Sequence, residues 1–213
     1  MPRRIDIDRR KAQLAEAVWG IIRERGIGAV SVRSVADAAG VAVGSLRHVF
    51  PTRTELLSFS AELMVHRATE RILAAPRSGD PAEDAVSLLS HLLPLEPDSR
   101  AELEVNIALI AEAPAIPELV PIRDQAAHAI FGLCSRLVAA LAPDVDEARR
   151  VWEARRLHAL LDGLALHILA EPDTAEGGSR DRDSDLDPGR GRGSWGVQVL
   201  REEIARIEGI PES

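Results

Sequence analysis

The sequence predicts an all-α protein of about nine helices, arranged as a small N-terminal head and a larger body. Three observations point to this fold class. The helix-favouring residues Ala, Leu, Arg and Glu recur throughout the chain. Apolar residues repeat with helical spacing in most segments between prolines and glycines. Runs of β-branched residues bounded by turns, which are typical of strands, are scarce.

The first predicted helix covers residues 9–26 and follows a polar tail at residues 1–8. Its apolar residues are spaced i, i+4, i+7 and i+8, as one buried helical face requires. These residues are Leu14, Val18, Ile21 and Ile22. The helix is predicted to be scaffold. The basic residues of the N-terminus leave two interpretations open: a solvated tail, or an arm that touches DNA.

The stretch 31–57 is predicted to form two short helices joined by a tight turn, followed by the start of a longer helix. Ser31 is a good N-cap residue for the first short helix. Gly40 can adopt the left-handed conformation that ends it. Leu46 and Phe50 belong to the apolar side of the second short helix. This is the pattern of a helix-turn-helix, in which the second helix enters the DNA major groove.

The body is predicted to begin with a capped helix. Thr52-Arg53-Thr54-Glu55 has the form of a capping box, and the helix is expected to run to residue 75. Five further helices are predicted at 81–93, 98–113, 121–141, 146–169 and 195–207. Residues 172–194 are rich in Gly, Ser, Asp and Arg and are predicted to be a flexible loop. The division is therefore a head at 1–51 and a body at 52–213.

Charge is distributed unevenly along the chain, although the net charge is −8. Residues 1–56 contain ten basic and six acidic residues, a net charge of +4. The remainder contains 16 basic and 28 acidic residues, a net charge of −12. A basic head on an acidic body suits a protein whose head meets phosphate.

Several classes of function find no support in the sequence. The six histidines form no HxxxH, HExxH or Cys/His pattern, so we expect neither a metal site nor a cofactor. No Gly-rich phosphate loop or nucleophile elbow indicates an enzyme. The single cysteine, Cys134, is expected to be a buried, inert thiol rather than a redox sensor. We see no signal peptide or membrane span and expect a cytoplasmic protein.

The residues VADAAGVAVGSLRHVFPTRTELL resemble the N-terminal signature of TetR-type bacterial transcription regulators. One position departs from that signature, because the family usually has tyrosine where this chain has Arg47. The resemblance implies a DNA-binding regulator, most often a repressor, that acts as a homodimer on an inverted-repeat operator and is released by a small-molecule effector. The alternative is a helical small-molecule-binding or protein-interaction module whose head has lost DNA binding.

The predicted DNA contacts lie on the two short helices and at the start of the fourth helix. They are Ser31, Arg33, Ala42, Val43, Gly44, Ser45, Arg47, His48 and Arg53. By resemblance, Arg53 occupies a position from which the family contacts phosphate. Arg47 can bond guanine through O6 and N7, or it can bind only phosphate, and the sequence leaves both open.

The segment RRLHALLDGLALHILAEP resembles the C-terminal domain of the choline-responsive TetR subgroup, in which the last two helices form a four-helix dimer interface. We therefore predict interface roles for Leu157, Leu160, Leu161, Leu164, Leu166, Val199, Leu200 and Ile204. A purely monomeric core helix at 146–169 is the alternative. A chain with 3% aromatic residues is poorly suited to an aromatic cage for choline itself.

The family encloses its effector between helices of the body, which here lie between residues 56 and 169. The candidates for such a pocket are polar or soft side chains on otherwise apolar helices. They are Met64, His66, Asn106, Gln125, His128 and Trp152.

Overall fold

In the computed structural model of the chain, the structure describes residues 2–171 and 193–210, with side chains described from residue 9 onward. The described residues form nine α-helices. These are α1 (Pro2–Arg25), α2 (Val32–Ala38), α3 (Val43–Val49), α4 (Arg53–Ala74), α5 (Pro81–Ser90), α6 (Pro97–Glu112), α7 (Val120–Leu141), α8 (Glu147–Leu169) and α9 (Ser194–Glu208). Two 3-10 turns lie at Ile27–Ala29 and Pro117–Leu119. The predicted all-α class is confirmed.

The N-terminal helix is longer than predicted. Helix α1 begins at Pro2, so the expectation of a polar tail at residues 1–8 is wrong for residues 2–8. Proline is well suited to the first turn of a helix because its missing N–H has no partner there in any case. The arginines and Lys11 that follow are also good helix formers. Most of the predicted flexible loop at 172–194 lies outside the described residues, and its last residue, Ser194, is the first residue of α9.

The chain divides into two compact units. One consists of Met1–Ala74 and Ala101–Ala129, and the other of Ala75–Arg100 and Ile130–Ser213. These units follow packing rather than the predicted functional division at residue 51, which stays a prediction. Within the described residues, no helix has both the length and the apolar character needed to cross a membrane.

The first unit has one apolar core that joins the helix-turn-helix to α4 and α6. Leu14 of α1, Leu46 of α3, Leu56 of α4 and Val105 of α6 are all buried in it. The Trp19 indole N–H donates to the Ser60 carbonyl oxygen at 3.2 Å, which ties α1 to α4. The short helices α2 and α3 are thus held on a scaffold of longer helices.

Ion pairs link three helices of the first unit. Arg67 of α4 pairs with Glu16 of α1 at 2.7 Å. Arg71 of α4 pairs with Glu102 of α6 at 2.5 Å. Arg23 of α1 pairs with Glu104 of α6 at 2.6 Å. These links connect α6 directly to both α1 and α4.

The second unit packs α9 against α5 and α8. The backbone approach at the start of α9 is close. A Cβ added at Gly196 would lie 2.6 Å from Ile168 Cδ1, and one added at Gly193 would lie 2.6 Å from Leu95 Cδ2. Two glycines therefore permit this approach. Glu153 of α8 is fully buried and is paired with Arg206 of α9.

Candidate nucleic-acid interface and ligand cleft

Helix α2 starts with a reciprocal hydrogen-bonded cap. The Ser34 amide donates to Ser31 Oγ at 3.0 Å, and the Ser31 amide donates to Ser34 Oγ at 2.9 Å. The Ser34 hydroxyl also donates to the Ala29 carbonyl oxygen at 2.8 Å. The predicted N-cap role of Ser31 is confirmed. The signal for Ser34 was weaker, because serine takes the third helical position where the usual capping box has Glu or Gln.

The turn between α2 and α3 depends on Gly40. Its φ of +66° lies in the left-handed region, where glycine carries no steric penalty. The Val41 amide donates to the Ala36 carbonyl oxygen at 2.9 Å, so the chain reverses directly after α2. The predicted helix end at Gly40 is confirmed. The turn fixes where α3 begins.

Helix α3 has one buried side and one exposed side. Leu46 and the following Phe50 are buried in the core of the first unit. Gly44, Arg47 and His48 are exposed. The buried pair anchors the helix, and the exposed side chains are available for a major groove.

The remaining predicted DNA contacts have mixed surroundings. Arg33 and Ala42 are exposed, while Val43 and Ser45 are half-buried. Ser31 is exposed, but its hydroxyl is part of the cap. The roles of these residues on DNA stay predictions.

Arg53 is held in a way that the sequence did not indicate. Its Nε donates to the Val30 carbonyl oxygen and its Nη2 to the Ile27 carbonyl oxygen, each at 2.8 Å. The guanidinium therefore bonds the corner that precedes α2. The neighbouring Thr52 makes one of the two hydrogen bonds of the predicted capping box, since the Glu55 amide donates to Thr52 Oγ1 at 3.1 Å.

A cleft in the first unit lies between α4, α6 and the start of α7. It is open to solvent, and the centre of a water-sized molecule has about 10 Å³ of room within it. Three of the six predicted ligand residues line it, namely Met64, Asn106 and Gln125. Glu62 and Arg123 also line it and were missed, because charged residues on amphipathic helices usually mark a solvated face.

The other three predicted pocket residues do not line this cleft. His66 is exposed and lies 3.3 Å from Glu70 on the same helix. His128 is exposed, and its Nδ1 lies 2.5 Å from the Asp124 carbonyl oxygen. Trp152 belongs to the second unit and is 62% exposed. Each of the two histidines thus contacts a group of its own helix rather than the cleft.

The eight predicted interface residues, which lie on α8 and α9, differ in burial. Five of the eight are buried within the chain itself: Leu157, Leu161, Leu164, Leu200 and Ile204. Leu160 and Val199 are half-buried, and Leu166 is 51% exposed. The exposed side of α8 instead carries Trp152, Ala159 and Leu166 at intervals of seven residues. Helical periodicity alone did not distinguish these two sides, since α8 is apolar around much of its circumference.

The surroundings of the single cysteine and of the His158–Asp162 pair give no indication of a catalytic or metal site among the described residues. Cys134 is buried as predicted, and burial raises the pKa of its thiol to about 12. His158 lies 3.6 Å from Asp162, whose pKa is raised by burial despite the neighbouring imidazole. Among residues 2–171 and 193–210 there is no group of three or more His, Cys, Asp or Glu side chains placed to hold a metal ion.

Comparison with known proteins places the chain in a family. Residues 11–58 match the model of bacterial regulatory proteins of the tetR family, and residues 81–180 match that of the BetI-type transcriptional repressor C-terminal domain. The HTH-type transcriptional regulator PksA of Bacillus subtilis (strain 168) is 37% identical over 176 residues, which cover 81% of this chain and 84% of PksA.

Solved structures agree in fold. A transcriptional regulator from Rhodococcus sp. Rha1 superposes with a TM-score of 0.73 at 26% identity, covering 94% of this chain and 99% of that one. A putative transcriptional regulator from Saccharomonospora viridis, solved in complex with choline, gives 0.63 at 19% identity, covering 92% and 94%. The chain is a helix-turn-helix transcriptional regulator and belongs to the TetR family. Within that family, the match to the BetI-type C-terminal domain is confined to residues 81–180.

Proposed function

We propose that this regulator is a ligand-released repressor that binds an inverted-repeat operator as a homodimer. The observation that carries the proposal is the two-sided character of α3. Leu46 and Phe50 anchor it in the core, while Gly44, Arg47 and His48 remain exposed. A protein that reads the bacterial chromosome works in the cytoplasm, and we place it there.

Base reading is assigned to the N-terminal half of α3 and to Arg47. Gly44 allows the backbone to approach the groove closely, and Ala42 presents a methyl group to thymine. Arg47 carries a fork that matches the O6 and N7 atoms of guanine. Arg33 and His48 are assigned to phosphate, where they add affinity without sequence information.

The test of base reading uses a duplex selected by the wild-type protein from a random-sequence library. We expect Arg47→Ala to weaken binding about tenfold and to relax the preference at one position of each half-site. Arg33→Ala is the control, since loss of a phosphate contact should weaken all sequences equally and flatten the salt dependence. Unchanged affinity and preference in Arg47→Ala would remove this residue from the reading surface. If the wild type selects no duplex, the protein-interaction alternative is favoured.

The homodimer is proposed to form through the exposed side of α8. Large residues at Trp152 and Leu166 flank the small Ala159, and a second copy of α8 can approach closely at such a position. By the general geometry of helix-turn-helix dimers, the two half-sites of the operator are expected to be related by a two-fold axis, with centres about 34–36 Å or a multiple of that distance apart. Covering this side would also remove two large apolar residues from water.

Sedimentation of the full chain tests the dimer. We expect Leu166→Glu and Trp152→Glu to shift the population towards monomer without unfolding, because both side chains are exposed in the single chain. Leu73→Glu is the matched control, since Leu73 is 72% exposed on α4, and we expect it to stay dimeric. A wild-type protein that is monomeric at micromolar concentration, or two α8 variants that both stay dimeric, would argue against this interface.

The effector is proposed to bind the cleft lined by Met64, Asn106 and Gln125. The cleft belongs to the same compact unit as the head, and α6, which carries Asn106, is ion-paired to both α1 and α4. A ligand that prefers one arrangement of these helices would change operator affinity. None of the ten lining residues is aromatic, so we do not expect the choline that is bound by the Saccharomonospora viridis protein. Six of the ten are apolar, so we expect a largely apolar ligand whose few polar groups meet Asn106, Gln125 or the charged residues of the cleft.

A further inference from the structure

The corner before α2 is a 3-10 turn whose carbonyl groups also accept hydrogen bonds from side chains. Three of its carbonyl groups accept such bonds, and two of them belong to residues whose side chains are buried, Ile27 and Val30. Ser34 donates to the third, on Ala29. Arg53, the first residue of α4, donates to the carbonyl oxygens of Ile27 and Val30. The carbonyl groups of the corner are thereby held by hydrogen bonds, while the side chains of Ile27 and Val30 are held in the core.

We infer that Arg53 is a positioning residue of the DNA-binding head, whose bridge to the corner, rather than its charge alone, supports operator binding. Its planar guanidinium bridges two carbonyl oxygens that are three residues apart, and so it locks the start of α4 to the corner that aims α2. A change in the tilt of α4 is then passed directly to α2 and, through the turn at Gly40, to α3. This role rests on the proposed reading of DNA by α3, but the bonds themselves exist in the free protein.

A phosphate contact that required the guanidinium to turn outward would compete with this arrangement. The guanidinium would give up two hydrogen bonds of 2.8 Å, the Val30 carbonyl group would have to find water, and the Ile27 carbonyl group would keep only the Val30 amide. Arg33, by contrast, is exposed, and its guanidinium is not one of the groups that bond the corner. The two roles make different demands on side-chain chemistry. A phosphate contact needs mainly a positive charge, whereas the bridge needs two N–H groups at fixed separation, which lysine does not supply.

The test is charge-conserving substitution. We expect Arg53→Lys and Arg53→Gln each to weaken binding of the selected duplex about tenfold, because both lose the bridge. In Arg53→Lys the slope of log affinity against log salt should stay at the wild-type value, since the number of released counterions is unchanged. Arg33→Lys is the matched control and should keep the wild-type affinity. If Arg53→Lys binds as tightly as wild type while Arg53→Gln binds weakly with a shallower slope, Arg53 contacts phosphate and the inference is wrong.

A second measurement reads the bridge without DNA. The Val30 amide donates to the Ile27 carbonyl oxygen at 3.1 Å, within the bridged corner. We expect its hydrogen exchange to be about tenfold faster in Arg53→Lys than in wild type, at unchanged exchange in α9. In the wild-type protein, the Arg53 Nε–H should exchange more slowly than that of Arg33. Equal exchange of the two Nε–H groups would overturn the bridge even if the variants fail to fold. If wild type selects no duplex, the proposed function fails, while these exchange rates still decide the role of Arg53.

Discussion

The head and the α8–α9 contact both contain half-buried or buried polar groups, but they satisfy them differently. In the head, one hydroxyl group and one guanidinium bond neutral backbone carbonyls at the corner before α2. In the α8–α9 contact, two buried carboxylates, those of Glu153 and Glu203, are surrounded by arginines. These are Arg149, Arg156 and Arg206.

The two sets of contacts have different physical roles. Those in the head orient a helix end, whereas those between α8 and α9 compensate buried charge. A bond to a carbonyl is directional, so the head gains a fixed orientation for a helix end and little net charge. A buried carboxylate must instead be neutralised by a partner, because an isolated charge in the interior is costly. The orientation of α2 matters for reading DNA, whereas the arginine cluster matters for whether α9 stays on α8. The following variants test that separation, from the largest expected loss of stability to the smallest.

The largest effect is expected at Glu153. Its carboxylate is fully buried and is paired with Arg206 and with Arg149, which lies 2.7 Å away. We expect Glu153→Ala to lower the free energy of unfolding by about 3 kcal/mol, because it leaves a cavity and two arginines without their shared partner. Urea unfolding followed by circular dichroism measures this. Arg149→Ala is the control. Its side chain is 48% exposed, so we expect a loss of less than about 1 kcal/mol. Equal losses in the two variants would show that burial of Glu153 is not what matters.

The next largest effect is expected at Gly193. Its φ is +70°, and an added Cβ would lie 2.9 Å from Ile168 Cγ2 as well as close to Leu95. We expect Gly193→Ala to cost about 2 kcal/mol, from the strained backbone together with the displaced side chains. Gly163→Ala is the control, since a Cβ there meets nothing within 4 Å, and it should be neutral or slightly stabilising in the single chain. A neutral Gly193→Ala would mean that α9 does not start in the described conformation.

A smaller loss is expected in the head. Ser34 accepts from the Ser31 amide and donates to the Ala29 carbonyl oxygen. We expect Ser34→Ala to cost about 1 kcal/mol, as is typical for loss of a helix cap. Ser58→Ala, within α4, caps no helix and serves as the control. If Ser34→Ala were as damaging as Glu153→Ala, the proposed distinction between directional and charged networks would not hold.

The sequence predicted the parts of the fold that depend on local chemistry. The caps at Ser31 and Thr52 and the turn at Gly40 were correct because each acts on its own neighbours. The two bonds of Arg53 were missed because they join residues 23 and 26 positions apart. Nothing in the motif encodes that separation. The same residue type serves phosphate contact or backbone bridging, and only the folded corner distinguishes them.

The body was less predictable for a different reason. Leu157 and Leu166 are both apolar residues of α8, yet one is buried in its own chain and the other is 51% exposed. Periodicity identifies apolar faces but not what covers each of them. Likewise, nothing in the sequence distinguishes Glu153 and Glu203 from the many glutamates of solvent-exposed helix faces. They are buried because the arginine that neutralises both, Arg206, lies on the helix packed against α8.

The smallest effect is expected from acid titration of Glu203. Burial raises the pKa of this carboxyl, but the hydrogen bonds and charges of Arg206 and Arg156 outweigh burial and hold the pKa below its ordinary value of 4.5. A carboxyl whose pKa is lower in the folded state stabilises the fold above pH 4.5. That contribution is lost as the pH falls through the folded-state value. The pKa of Arg206 is raised, first by its hydrogen bond to Glu203, so the cation persists over the whole range.

Comparison of wild type with Glu203→Gln isolates this contribution. We expect wild type to be the more stable by about 1 kcal/mol or less at pH 7, since glutamine keeps the volume and both arginines reach water. The gap in unfolding free energy should narrow steadily below pH 4.5 and close once Glu203 is protonated. Ser34→Ala provides the contrast, because its neutral cap has no titrating group and its cost should not change over the same range. A constant gap for Glu203→Gln would mean that its arginines stabilise α9 by packing rather than by charge.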